Sequence, residues 1–237
     1  FVDHIGWVAT MNGAALFGIC LTMFLWLGLR EKETSYTKTH HSLADHGTIH
    51  SFKRSVIDLW IIAKSRQIWI NGLYGCLVYL PTTVFGELWG IPYLTHAHHL
   101  THQAAGFATS LMFLGFMLGA PLIGLLSDLM ARRKPPMLGG ALGACVVMSV
   151  ILYVPHLSVV QLDSLMFLLG VLYSAQCIVF AVGRESSPDE AAGTAIAMTN
   201  MLVMLGAMFL QPFVGRLLDI SASMHQNSPI TPPTTVE

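Results

Sequence analysis

The sequence predicts an all-α membrane protein with six transmembrane helices. Three observations carry that prediction. The chain is 54% hydrophobic and only 11% charged, with a mean hydropathy of +0.61, a balance for which the bilayer rather than water is the solvent. Six apolar stretches are each long enough to cross about 30 Å of hydrocarbon at ~1.5 Å rise per residue. Finally, eleven of the 12 Lys and Arg residues fall between alternate pairs of these stretches, and positively charged loops are retained in the cytoplasm. A transmembrane barrel would alternate apolar and polar residues, and runs such as Ser110 to Ile123 do not.

The first stretch runs from Trp7 to Leu29 and is followed by Arg30, Lys32, Lys38, Lys53, Arg54, Lys64 and Arg66. Arg132, Arg133 and Lys134 follow the third stretch and Arg184 the fifth; only Arg216 falls elsewhere. Residues 31–67, 127–135 and 184–192 are therefore expected in the cytoplasm, with the odd-numbered helices running outside to inside. The polar segment 31–67 reads as a linker between two halves of a larger protein, and it holds His40, His41, His46 and His50. Within it Phe52, Val56, Leu59, Trp60 and Ala63 recur at helical spacing, while Lys53, Arg54, Asp58 and Lys64 fall mostly elsewhere on the wheel. An amphipathic helix on the inner leaflet fits that pattern; a solvated linker is the alternative.

The remaining stretches are Ile68 to Gly90, Gln103 to Leu126, Pro136 to Pro155, Leu162 to Gly183 and Gly193 to Leu218, joined by connections short enough to make sequential helices antiparallel neighbours. Pro81, Pro121 and Pro212 lie inside helices, where each removes a backbone hydrogen bond and invites a kink. Gly115 with Gly119, and Gly139 with Gly143, have the spacing of close helix crossings. Cys20, Cys76, Cys145 and Cys177 lie one to a stretch, without a CxxC pair, and are expected as buried free thiols. The chain starts at Phe1, and residues 219–237 read as an external loop cut before a further helix. It is expected to be part of a longer protein.

A single motif carries identity. Gly124, Asp128, Arg132 and Arg133, followed by Lys134 and Pro135, span the inner end of the third helix and its turn. Gly124 would let a neighbouring helix approach, and Asp128 would accept from Arg132 at i+4. The spacing resembles the GxxxDxxxRRx(P) signature of the major facilitator superfamily. Other stretches are similar to that family in register: Gly6-Trp7 to the entry of its sixth helix, Glu87-Leu88-Trp89-Gly90 to the end of its seventh, Ala192-Gly193-Thr194-Ala195 with Asn200 to the start of its eleventh, and Gly215 to Asp219 to that helix's outer end. The resemblance implies the sixth to eleventh helices of a twelve-helix carrier: residues 1–30 close the N-terminal half, 31–67 link the halves, and 68–218 form five helices of the C-terminal bundle. It implies secondary transport of a small polar metabolite by alternating access, in a bacterial-type inner membrane, with no enzyme activity and no cofactor. Amino acids, short peptides, sugar phosphates and organic anions are all open as substrates. Substrate, lipid and the N-terminal half are the expected partners, and the formal net charge of −1 argues against nucleic acid.

A polar stripe on a membrane helix faces protein or water. Asn71, Tyr79, Thr82 and Thr83 form one on the second helix, and the resemblance places that helix and the fifth at a central pathway. Tyr173 and Gln176 cluster with Cys177 on the fifth helix, and Asn200 and Gln211 share a face of the sixth. Each amide either contacts substrate or bridges helices. Glu87 stands out as an acidic residue near a span without a basic neighbour in sequence, and is the candidate for proton coupling; a solvated helix end is the alternative. Gly124, Asp128, Arg132 and Arg133 are the candidate conformational latch. The external His96, His98, His99 and His102 are the one group that suggests metal, although no carboxylate orients them. They leave open a membrane metalloenzyme, and a non-transporting sensor or assembly subunit is the other competing reading.

Overall fold

The structure is a computed structural model and describes residues 6–28 and 56–226. The expectations for the linker histidines, Phe52 and the end of the tail lie outside these residues. Every regular element among the described residues is helical, and six helices are long and apolar enough to cross a membrane. They fall into two units, residues 1–54 and 55–237.

The first unit is represented by α1, Trp7–Gly28. Its two internal threonine hydroxyls donate to carbonyls one turn back, Thr10 to Gly6 at 3.0 Å and Thr22 to Gly18 at 2.9 Å. Neither hydroxyl therefore needs water.

The first helix described in the second unit is α2, residues 56–63. The second span is not one regular helix. It comprises α3 (Arg66–Val78), a π-helical segment (Pro81–Trp89) and α4 (Gly90–Ala97). Pro81 brings no N–H to the ladder, and the chain widens to i→i+5 bonding, as from Gly90 N–H to the Phe85 carbonyl. The span ends at Ala97 rather than Gly90 because Tyr93 and Leu94, which read as loop between Pro92 and the histidines, pack inward: Leu94 is fully buried.

Helix α5 (His102–Leu129) is capped by Thr101, whose side chain accepts from Ala104 N–H, and runs unbroken through Pro121. Helix α6 (Lys134–Tyr153) carries its prolines in the first turn, where no hydrogen bond is lost. The fifth span starts at Val159, not Leu162, because Ser158 and Gln161 form a reciprocal capping box. It comprises α7 (Val159–Tyr173), a 3₁₀ turn (Ser174–Cys177) and α8 (Ile178–Glu185). Helix α9 (Ala192–Gln226) also continues through its proline, Pro212, and extends past Leu218, so the first residues of the expected external loop are helical.

Small residues decide the packing, as expected where lipid supplies no hydrophobic drive between helices. Helices α5 and α7 touch backbone to backbone: a Cβ on Gly115 would lie 2.2 Å from the Phe167 carbonyl oxygen, and one on Gly170 2.1 Å from that of Met112. Gly119 faces Val171 in the same seam. Helix α6 approaches through Gly140, against Ala175, and Gly143, against Leu172, whereas Gly139 faces open space; of the expected pair, Gly143 packs closely and Gly140 takes the place of Gly139. Helices α3 and α9 form the other seam, with Gly72 on Leu202, Gly75 on Val203 and Gly206 on Cys76. The four cysteines are unpaired; Cys20 and Cys145 are exposed on the helix surface and Cys76 and Cys177 half-buried, against the expectation of burial for all.

Candidate functional site: a polar face across two broken helices

The interruptions in the second and fifth spans lie in facing elements. Tyr79, at the end of α3, and Tyr173, at the end of α7, are both within electrostatic reach of Glu87 and Cys177. Tyr173 is buried and its ring stacks on Phe116 at 5.0 Å between centroids. Thr82 and Gln176 are buried in the π-helical and 3₁₀ segments respectively, and the Thr82 hydroxyl lies beside the Tyr173 phenol. Glu87 is exposed. The structure therefore gathers Tyr79, Glu87, Tyr173 and Cys177 from the sequence-predicted set, with Thr82 in the same π-helical segment as Glu87.

The amides do something different. Asn71 Nδ2 donates to the Val179 carbonyl at 2.7 Å, tying α3 to α8, while its buried Oδ1 has no partner among the described residues. Gln211 Nε2 donates to the Thr83 carbonyl at 2.8 Å, tying α9 to the π-helical segment. The Thr83 hydroxyl is turned to its own helix, donating to Tyr79 O at 3.4 Å. Asn200 shares Gln211's helix face but is exposed, about 16 Å along the axis.

A second acidic residue went unread in the sequence. Asp163 sits five residues into α7 with one carboxylate oxygen buried and unpartnered, so Glu87 is not alone as an acid within a span. The signal was there: a carboxylate in an apolar run with no cation within a helical turn. A cleft of about 1130 Å³ lies elsewhere, between the second span, α6 and α9. Its wall includes Leu77, Val84, Met148, Leu152 and Leu210 and none of the predicted pathway residues, so a polar solute finds few partners in it.

At the end carrying the basic turn, Arg133 and not Arg132 holds the centre. Its Nη1 donates to Asp128 Oδ1 at 2.5 Å and to Ser127 Oγ at 3.0 Å, and its Nη2 to Glu185 Oε1 at 2.6 Å, with Nε shared between both Glu185 oxygens. The expected i+4 pairing with Arg132 fails because the helix ends at Leu129 and Ala131 takes a left-handed φ of +48°. That turn throws Arg132 outward and swings Arg133 back. The hydrogen bonds to Glu185, then to Asp128, push the guanidinium pKa above its already high value. Glu185, at the end of α8, is the partner that sequence reasoning missed; an acid closing an apolar span on the same side as the basic turn was the available clue. Gly124 has no atom within 4 Å of where a Cβ would stand, so among the described residues it admits no close neighbour. Both carboxylate side chains are more than half exposed, at 65% and 52%, and pairs of that kind contribute ~0.2–1 kcal/mol each.

At the opposite end the histidines do not converge. His98 Nε2 donates to the Ile151 carbonyl at 3.1 Å, beside Tyr93, whose hydroxyl donates to the Leu152 carbonyl at 2.9 Å. Together they cap the last carbonyls of α6. His96, His99 and His102 are exposed, and the described residues contain no group of three or more metal-ligating side chains.

No curated protein and no solved structure matches the chain. The family model described as Major Facilitator Superfamily matches residues 1–211. Six apolar spans and a match over most of the chain lead to one conclusion: this protein is an integral, multi-pass membrane protein that belongs to the Major Facilitator Superfamily of transporters.

Proposed function

We propose that the chain is part of a secondary active transporter that moves a small polar metabolite by alternating access, with Tyr79, Thr82, Glu87 and Tyr173 on the substrate route. The observation that carries this reading is the meeting of two interrupted helices at one polar group, since helix interruptions in a membrane persist where backbone is buried in protein or lines a cavity. Asn71 and Gln211 position those helices and are assigned no substrate contact. Residues 68–218 act as most of the C-terminal half of a carrier, whose N-terminal half supplies the opposite wall. Arg133, Asp128, Ser127 and Glu185 form the latch at the cytoplasmic end of an inner-membrane protein. An amino acid, short peptide, sugar phosphate or organic anion fits the hydroxyl-rich group, and Glu87 is the proposed proton carrier.

Uptake by the full-length protein in proteoliposomes, with and without a pH gradient, tests the reading. Glu87→Gln should lose gradient-driven accumulation while retaining exchange, because a neutral amide keeps the shape and cannot cycle a proton. Unchanged gradient dependence in that variant removes Glu87 from coupling, and failure of every substrate class in the parent protein removes transport.

A further inference from the structure

Helix α2 has more apolar surface than its packing uses. Ile62 is only 2% exposed and, with Ala63, sits in the cluster formed by Ile68, Ala191, Ala195 and Met198 at the start of α9. Val56, Ile57, Leu59, Trp60 and Ile61 are turned the other way, with exposures between 47% and 64%. At 100° per residue these five cover more than half of the helix circumference, and half-buried Asp58 lies beside Ile62 on the packed side. A helix of this length, about 12 Å, cannot cross a bilayer.

Two observations say what covers that arc. First, it continues onto the exposed apolar face of a membrane-spanning helix: Trp69 Nε1 donates to the Ala63 carbonyl at 2.8 Å, fixing the end of α2 to the start of α3. From there the exposed Trp69, Ile70, Leu73 and Leu77 carry the apolar face into the second span. Second, the edge of the arc is positive. The Lys64 ammonium stands 4.8 Å above the Trp60 ring, and both Lys64 and Arg66 are exposed at the α2–α3 junction. Apolar side chains below and cations at the rim match the boundary between acyl chains and acidic headgroups.

We propose that residues 56–66 are a docking surface for an anionic phospholipid leaflet, with Trp60 seated among the upper acyl carbons and Lys64 and Arg66 on headgroup phosphates. Because Ile62 holds the start of α9, lipid that grips α2 also fixes that end of α9. The proposal depends on the membrane topology and not on the transport reading.

The test uses the full-length protein in nanodiscs of phosphatidylcholine, alone or mixed with phosphatidylglycerol, and carrying bromine on the upper acyl chain. The Trp60 emission is isolated as the difference between the parent and Trp60→Phe. Bromolipid should quench this component, and more strongly with phosphatidylglycerol present. The paired change Lys64→Gln and Arg66→Gln should weaken that dependence, by about five-fold in apparent affinity for each cation lost, with helical content unchanged. Quenching by aqueous acrylamide and not by bromolipid would overturn the proposal, as would protection from both quenchers, which means that a protein segment covers the arc. Equal quenching with and without phosphatidylglycerol would overturn the anionic assignment.

Discussion

The two helix seams of the bundle solve the same problem with different materials. In the α5–α7 seam, Gly115 and Gly170 press against carbonyl oxygens, so main chain meets main chain. In the α3–α9 seam, Gly72, Gly75 and Gly206 receive the side chains of Leu202, Val203 and Cys76. Backbone cannot step aside, whereas the Cys76 thiol at Gly206 has other rotamers; Leu202 Cβ and the β-branched Val203 yield less. The first seam is therefore a fixed joint, reinforced at one end by the Arg133 network. The second is a more compliant one, flanked by amide bridges that run from Asn71 on α3 to α8 and from Gln211 on α9 to the π-helical segment. The interrupted part of the second span lies against the compliant partner, which is where a bundle that changes shape would place its give.

The difference can be broken by substitution. Gly170→Ala should have the largest effect, destabilising by about 3 kcal/mol at the upper end of overpacking costs, measured as thermal unfolding in detergent. A loss no greater than that of Gly206→Ala would erase the distinction between the seams. Gly206→Ala should cost about 1 kcal/mol, and Cys76→Ala in the same protein should recover most of it, because the clash is with a thiol rather than with main chain. Simple additivity of the two changes in a double-mutant cycle would show that the thiol is not the obstacle. Smallest is Glu185→Gln, at about 0.5 kcal/mol for an exposed pair, with normal membrane insertion. Its signature is pH-independence on the alkaline side. A raised guanidinium pKa keeps its contribution at every pH below the unfolded value, which lies well above the range tested, so the gap between parent and variant should stay constant from about pH 7 to pH 10. A gap that closes over that range would mean that Arg133 is not the partner.

Spans were legible because a membrane helix needs a long apolar run. Their ends were less so. Tyr93 and Leu94 read as loop because Pro92 and four histidines surround them, yet a phenol reaching the carbonyls of α6 is a tertiary fact with no local mark. The start of α7 was a different failure: the Ser158–Gln161 capping box was written in the sequence and went unread. At the basic turn the residue types were right and the pairing was wrong by one position, since a helical wheel cannot foresee where Ala131 leaves the helix. The polar stripe on the second span was partly misassigned for a related reason. From Pro81 to Trp89 the chain is π-helical, and the helical wheel that grouped Thr82 and Thr83 with Asn71 no longer applies.

Two phenols join the second span to α6, one on either side of the π-helical segment: Tyr74 to the Met137 carbonyl at 2.7 Å and Tyr93 to the Leu152 carbonyl at 2.9 Å. They span nearly the whole length of α6, like a tie rod bolted at both ends. If the second span bends between Pro81 and Trp89, the distance between the bolts changes while the rod keeps its length, so one hydroxyl must let go. Bending and the release of a single tyrosine are thus the same event.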